Sequence, residues 1–594
     1  MEDRQRTDQD RSLDQSSISK ITETGSFLNI EGGNQMKHQS QDGLHENKFR
    51  FCGLLVLGLL VAVGSISAWA QVSASVVGTV KDVSGAVIPG ATVTVRNVET
   101  GTARTVKTDD RGYYRALSLP VGQYEVAAEK TGFNRHLNTG ITLVVGQEAV
   151  VNLSLEVGEV QQAVTVSAEA PIVNTTTSST AGLVGEREVK DLPLNGRSFD
   201  NLITLNPGTT NIQSSFKDNN GANPMGAMFD INGRRFNDNM FLLNGIEYTG
   251  SALSGNTPGG ASGQMLGIDA VREFNVQSST YGAEYGKRAG GQIIIVTTSG
   301  TNQLHGTAFE FLRNSALDAR NFFDPTKPAF RRNDFGGALG GPIRKDKTFI
   351  FGNYEAYRQS LSLTSVAFVP DANARRGFLP TGPGGSLVNV GLAPGMAPSF
   401  AIYPEPNGRE LGGGIAQAIS SGINPVKENF GTMRVDHNFS EKNMLSGSYT
   451  IDDGSIQTPD ADPLAATFVS QRAQVLTLEE THTFSPNIVN IARAGFSRAA
   501  SLADNRPVVS LPASLSMVAG RPMGVVTIGS SNTVVGGAAI SAFGSSSVNR
   551  LENRNYFTYT DSVQIVKGRH QISLGVWLER IDRKSTRLNS SHRL

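Results

Sequence analysis

Gln571-Ile572-Ser573-Leu574-Gly575-Val576-Trp577-Leu578-Glu579 places Ile572, Leu574, Val576 and Leu578 at every second position. A strand turns successive side chains to opposite faces, so the alternation predicts one face against lipid and one toward a polar lumen. Similar runs lie at Gly306 to Arg313, Phe335 to Gly341, Phe349 to Arg358, Phe430 to Asn438, Leu445 to Asp452, Val475 to Phe484, Ile488 to Ser497 and Tyr556 to Val566. Short connections, Asp436 to Asn443 and Phe484 to Asn487, read as turns at one end. The Gly/Pro/Ser-rich stretches near 360–428 and 500–550 read as long loops at the other. Residues 301–583 are therefore expected to form a partial transmembrane antiparallel β-barrel of about nine strands, fewer than the roughly 22 of barrels with a plugged lumen. Lys584 to Leu594 breaks the alternation and brings no terminal aromatic strand, so 584–594 reads as a non-native tail on a truncated frame.

The rest of the 594 residues fits a mainly β chain. Glycine is abundant at 65 residues and Trp is rare at two, which favours turn-rich sheets over helical bundles. The 53 basic and 53 acidic residues cancel, leaving no nucleic-acid footprint. Phe51 to Ile66 is apolar, follows Lys48 and Arg50, and ends in Ala68-Trp69-Ala70. At about 16 residues it is short of the roughly 20 needed to span as a helix, so 48–70 reads as a signal peptide cleaved before Gln71. Residues 1–47 form a polar, structureless extension, with Met36 an alternative start. The one cysteine, Cys52, precedes the cleavage site, so the exported chain is expected to hold neither disulfide nor thiolate site.

No His-Glu-x-x-His, Gly-x-Ser-x-Gly or Gly-Lys-Ser/Thr loop is present, and the histidines lack ligand spacing. Neither an enzyme nor a resident metal or cofactor is expected. Gly336-Gly337-Ala338-Leu339-Gly340-Gly341 reads as a strand end before Pro342, in preference to a nucleotide loop.

Residues 71–158 alternate in short runs, among them Ala91 to Val95, Tyr124 to Ala128 and Val150 to Leu155, punctuated by Pro89-Gly90 and Asp109-Asp110-Arg111-Gly112. Such spacing predicts an N-terminal β-sandwich of seven strands, with Asp109-Asp110 in a turn and not at a calcium site. Gly78-Thr79-Val80-Lys81-Asp82, Gly85 to Val93, Thr108 to Tyr114 and Leu119 to Tyr124 together resemble the carboxypeptidase regulatory-like domain, which is non-catalytic.

Residues 181–300 carry Asp191 to Phe199, Phe229 to Arg235, Leu242 to Glu247, Ile268 to Val276, Tyr281 to Gly286 and Gly290 to Thr298. In that order these runs resemble the α+β plug domain of TonB-dependent outer-membrane receptors, and among them the large Oar-like receptors that begin with a regulatory-like domain. Asn232-Gly233 and Asn244-Gly245 predict tight turns. For Arg234 and Arg235 two readings stay open, a charge pair with the barrel wall or a solvated turn. The family usually has Asp where Asn244 stands.

The linker 159–180 contains Val164-Thr165-Val166-Ser167-Ala168. The resemblance makes this a candidate box for a periplasmic TonB-type energy-coupling protein, held by β-augmentation, in which main-chain hydrogen bonds need only an extended partner. It reads equally as the last strand of the sandwich. The resemblance implies a Gram-negative outer-membrane protein in contact with outer-membrane lipid. It would capture an extracellular nutrient, whether oligosaccharide, peptide or iron chelate, and import it as the proton-motive force rearranges the plug. The alternative is an adhesion or structural protein that binds polymers without transport; a weaker one gives the sandwich a periplasmic signalling role.

Overall fold

The computed structural model describes residues 73–588, except 159–162, 168–179, 213–227, 249, 251–257, 283–284, 321–326, 383, 461, 521–522, 527–539, 546–548 and 569. Ala68, Ala70 and Gln71 of the expected cleavage site, Cys52, Ala168 and residues 589–594 lie outside the described residues.

The first unit is two facing sheets. One joins β1 (Ala74–Asp82), β4 (Tyr113–Leu119), β7 (Glu148–Val150) and β8 (Leu153–Leu155). The other runs β3 (Ala103–Lys107), β2 (Thr92–Asn97), β5 (Gly122–Glu129), β6 (Arg135–Leu143) and β9 (Ala163–Ser167). Alternate residues Val93 and Val95, Tyr124 and Val126, Ile141 and Leu143 meet between the sheets, as period-two patterning requires. Asp109 Oδ1 accepts the N–H groups of Arg111 and Tyr113, both at 2.9 Å, which is the predicted turn. Nine strands replace the expected seven. The run 148–155 divides at Asn152, whose side chain accepts the Thr79 N–H, and β9 arrives from beyond residue 158 to pair parallel with β6.

The inner domain, residues 180–298, holds a five-stranded sheet in the order β10 (Thr180–Val184), β15 (Val271–Ser279), β16 (Gln292–Thr297), β13 (Met240–Leu243), β14 (Ile246–Glu247). β11 (Thr209–Asn211) and β12 (Phe229–Ile231) pair separately, and α1 (Glu186–Asp191) packs on β15. Ile293-Ile294-Ile295-Val296 is apolar throughout because both sheet faces are covered. Ile293 and Ile295 join Phe199, Phe241 and Phe274 on one face; Ile294 and Val296 meet Val121 and Val145 of the sandwich on the other. Asn244-Gly245 closes β13 onto β14 as a two-residue turn, with φ of 49° and 83°.

The wall is one antiparallel sheet of β17 (His305–Asn314), β18 (Phe330–Arg344), β19 (Thr348–Pro370), β23 (Ile415–Ser440), β24 (Asn443–Pro459), β25 (Ala465–Ser485), β26 (Ile488–Pro507), β27 (Asn549–Lys567) and β28 (His570–Leu588), with β22 (Glu410–Gly412) beside β23. Each of the nine expected runs falls in one of these strands. The sheet does not close: among the described residues β17 and β28 have one neighbour each. Leu574, Val576 and Leu578 are exposed and Trp577 turns inward against the inner domain, as the alternation predicts.

Three expectations are corrected. The glycine run 336–341 lies inside β18, where Cβ atoms at Gly336 and Gly337 would strike the β19 and β17 backbones, and the strand continues through Pro342 with a register shift. β28 runs on to Leu588, paired with Asn549, so ladder hydrogen bonds extend into the stretch read as a tail. The long connections begin only after Pro370 and Pro507, and they are not generic loops. β20 (Phe378–Pro380), β21 (Leu387–Asn389) and α2 (Ala397–Ile402) lie in the first, and Tyr403, Leu464, Met523 and Phe543 from three connections share a core with Ala367, Val369 and Ala418. Asp462 pins that core by accepting the N–H groups of Leu464 (2.9 Å) and Gly544 (3.0 Å).

Candidate functional site: a charged seam between inner domain and wall

Asn195-Gly196-Arg197 turns tightly, with Gly196 and Arg197 at φ of 76° and 54°, and this aims the Arg197 side chain at the wall. Its guanidinium lies 3.8 Å above the Phe309 ring of β17. Nη2 donates to Asp269 of the inner domain at 2.5 Å, and Nε stands 3.6 Å from Glu355 Oε1 of β19. Glu355 is fully buried and accepts the Gly267 N–H at 2.9 Å. One strand on, Glu428 of β23, also fully buried, accepts the Ser262 N–H at 2.6 Å. Asp334 of β18 and Asp452 of β24 lie beside these two glutamates. The wall thus offers carboxylates, and the inner domain meets them with one guanidinium and two backbone N–H groups.

A second node lies near β28. Glu247, with no exposed surface, ion-pairs with Lys287 and with Arg288 (2.7 Å), and Lys287 reaches on to Glu579 of the wall at 2.5 Å. Burial alone would raise the Glu247 carboxyl, yet Lys287 and Arg288 hold it below the usual range. Between the nodes, Asn244 donates to Ser448 Oγ of β24 and to Thr297 Oγ1, both at 2.9 Å, and accepts the Thr297 N–H at 3.0 Å. Asp here would lack both donors. The departure from the family pattern therefore has a structural use.

The other expected site residues stand elsewhere. Arg234 and Arg235 are exposed at the Asn232-Gly233 turn, with no ion pair among the described residues, and Arg197 is the plug arginine that meets the wall. The sequence held one signal for Arg197, its place in the Asp191 to Phe199 run. Val164, Thr165, Val166 and Ser167 pair with His136, Leu137, Asn138 and Thr139 as the outer strand of a sandwich sheet. Among the described residues no three His, Cys, Asp or Glu side chains converge as metal ligands.

The sandwich seats at the short-turn end. Thr102 accepts from Asn438 of β23 at 3.0 Å, Ser118 donates to Gln564 of β27 at 3.0 Å, and the Glu99 carbonyl accepts the Asn302 N–H at 2.8 Å. Glu99 also pairs with Arg272 of β15 at 2.7 Å, and the neighbouring Glu273 accepts the Val145 N–H. A cavity of about 100 Å³, lined by Glu99, Arg272, Thr297, Arg434 and Glu479, lies where sandwich, inner domain and wall meet.

Burial pushes the Glu273 carboxyl up to about 7, although the Val145 N–H and Arg272 pull it down. Undocked, it returns toward the ordinary value of about 4.3. Between those values the docked form holds a proton that the undocked form has lost, so docking weakens as the pH rises through that window. The effect is roughly 2 kcal/mol after allowing for relaxation around the charge. The hydrogen-exchange protection factor of the Val145 amide is expected to fall between pH 5 and pH 8, and Glu273→Gln to flatten that fall. An unchanged slope in the variant would show that Glu273 does not control docking.

Residues 296–593 match the family described as the outer membrane β-barrel domain, and residues 75–156 match the carboxypeptidase regulatory-like domain. The TonB-dependent transporter Oar of Myxococcus xanthus is 29% identical over 341 residues, 53% of this chain and 30% of that protein. Among solved structures, the outer membrane transporter YddB of Escherichia coli aligns with a TM-score of 0.46 at 10% identity, covering 69% of this chain and 49% of its own. The ferric-catecholate import receptor Fiu of the same organism aligns with a TM-score of 0.32 at 14% identity, covering 69% and 60%. The chain thus spans less than a third of the Oar relative and about half of YddB. With a wall that matches over half its length, the chain belongs to the outer membrane β-barrel domain family, and it carries a carboxypeptidase regulatory-like domain ahead of the barrel.

Proposed function

We propose that this chain forms the receptor and gate of an energy-coupled outer-membrane transporter, exported by its signal peptide, with the inner domain as the plug. The observation that carries the reading is the seam. The plug is joined to the wall through buried carboxylates, the guanidiniums of Arg197 and of the wall's Arg434, Lys287 and backbone N–H groups, and the apolar clusters that cross it are small beside the plug's own core. An apolar seam would cost its full burial energy to open, whereas paired charges regain hydration as they part. A pull on the plug can therefore open a water-filled path while the plug core holds.

In this reading the long connections face the exterior and form the capture surface. The sandwich faces the periplasm, where a TonB-type energy-coupling protein pairs with Val164 to Ala168. β9 has β6 on one side and, among the described residues, no strand on the other, so the box is presented as an edge open to strand addition.

The test uses the lone cysteine. Once the signal is removed the chain has no thiol, so Ser167→Cys gives a single crosslinking site. Crosslinking in cells to a cysteine-bearing coupling protein is expected, and Val164→Pro with Val166→Pro should abolish it, because proline cannot donate to a ladder. Protection of the β2 and β5 amides, paired within the sandwich, reports that it stays folded. Failure of the parent to crosslink, with surface attachment lost in the proline variant, would favour adhesion.

A further inference from the structure

The plug is not the last obstruction on the way to the short-turn end. On β23, Asn438 stands an even number of residues from Glu428, which faces the plug, and on β27 Gln564 stands an even number from Tyr556, whose ring meets Lys287 of the plug. Side chains two residues apart share a face, so Asn438 and Gln564 both point into the lumen. The sandwich is bonded to these two, through Thr102 and Ser118 at 3.0 Å each. It therefore enters the open end of the wall and does not merely rest on its rim.

The rest of its seat extends this footprint. Gly101 lies so close to Asp346, in the turn between β18 and β19, that a side chain at 101 would strike the carboxyl. Asn97, Glu99 and Thr102 share one cavity with lumen-facing Ser446 of β24 and with Glu479 and Thr481 of β25. Val121 and Val145 cover Met240, Leu242, Ile294 and Val296 of the plug, and Trp577 of β28 packs on the same cluster. From the β18–β19 turn across to β28, the sandwich closes the end at which a path along the seam would come out.

This seat is weaker than the body it holds. The sandwich core runs from Ala74 to Leu155 and joins both sheets, whereas the seat sets two buried valines, the Glu99–Arg272 pair and a few hydrogen bonds against plug and wall. Paired charges regain hydration as they part, and a full core does not, so the seat opens before the fold. A pull has a direct route to it. β9 is laddered to β6 from Arg135–Ala163 to Thr139–Ser167, so force on β9 enters the sandwich through main-chain hydrogen bonds and reaches the plug only along the chain beyond Ser167.

We propose that the sandwich is a second stopper in series with the plug, and that a pull on β9 withdraws it as a folded body to open the exit. The pull rests on the transporter reading above; the seat stands on the contacts alone.

The test places a reporter thiol under the stopper. Val296→Cys lies on the plug face that Val121 and Val145 cover, at the edge of the cavity, and it is the one thiol of the chain once the signal is removed. Cells carrying the full chain are treated with a charged maleimide that does not cross the inner membrane. Fast labelling is expected in energised cells and slow labelling after a protonophore. Adding Glu99→Arg, which sets two guanidiniums against each other in place of a buried pair, should raise the slow rate about a hundredfold, whether or not the cells are energised. The β2 and β5 amides of the purified Glu99→Arg chain should stay protected, since the sandwich leaves its seat folded. Equal labelling of Glu99→Arg and of the protonophore-treated parent, with those amides protected, overturns the stopper. Labelling of the parent that ignores the protonophore, while Ser167→Cys still crosslinks to the coupling protein, overturns the withdrawal and leaves the transporter reading intact. Loss of both the protonophore effect and the crosslink overturns the withdrawal together with that reading. The protonophore arm needs no charge variant, so a misfolded Glu99→Arg chain leaves it decisive.

Discussion

Arg197→Met is expected to weaken the seat of the plug on the wall by about 3–5 kcal/mol, the cost of stranding buried charge. Methionine fills much the same space above Phe309, so the loss comes from electrostatics. Asp269 and Glu355 lose the guanidinium that stands 2.5 and 3.6 Å away, and Asp334 beside them leaves three carboxyls together. The measurement is hydrogen exchange across residues 262–270, with unfolding in urea followed in parallel. The triple variant Arg197→Met, Asp269→Asn, Glu355→Gln should recover most of the loss, because replacing a whole buried ion cluster is far milder than removing one partner. If Arg197→Met alone exchanges like the parent, the plug is held by Glu247 and Lys287 near β28, and the seam proposed as the gate is in the wrong place.

Gly267→Ala is the second. Gly267 has a φ of 88°, and a Cβ built there falls 2.1 Å from Phe430 Cε1 of β23. Left-handed backbone costs an alanine about 1–2 kcal/mol, and overpacking a filled site another 1–3. About 3 kcal/mol is expected from urea unfolding, and the Gly267 N–H would be pushed off Glu355. Phe430→Leu in the same chain removes the ring and should return the overpacking part only. Full recovery would show that backbone strain contributes nothing, and no recovery that the clash does not matter.

Alternation over Gln571 to Glu579, the Asn-Gly pairs and the order of short runs were enough to place three domains and nine wall strands, because each is written in contiguous residues at a period of two or in a two-residue turn. Charge pairing carries no such local mark. Arg234 and Arg235 have the same chemistry as Arg197, and nothing along the chain says that a left-handed turn at 196–197 aims one arginine at β19 while the turn at 232–233 leaves two in solvent. The long connections were misread for a related reason: glycine, serine and proline describe a loop's backbone, while the contacts of Tyr403, Leu464 and Phe543 join residues far apart in sequence.

The sequence by itself determined the β class, the domain order and which face of each wall strand turns outward, since these follow from local periodicity. Tertiary structure alone decided that Glu355 and Glu428 meet the plug, that Glu273 is buried by the sandwich, and that Thr102 and Ser118 seat the sandwich on the lumen face of the wall. Each depends on strand register and domain docking, which bring distant residues within a few ångströms, where burial strengthens every charge.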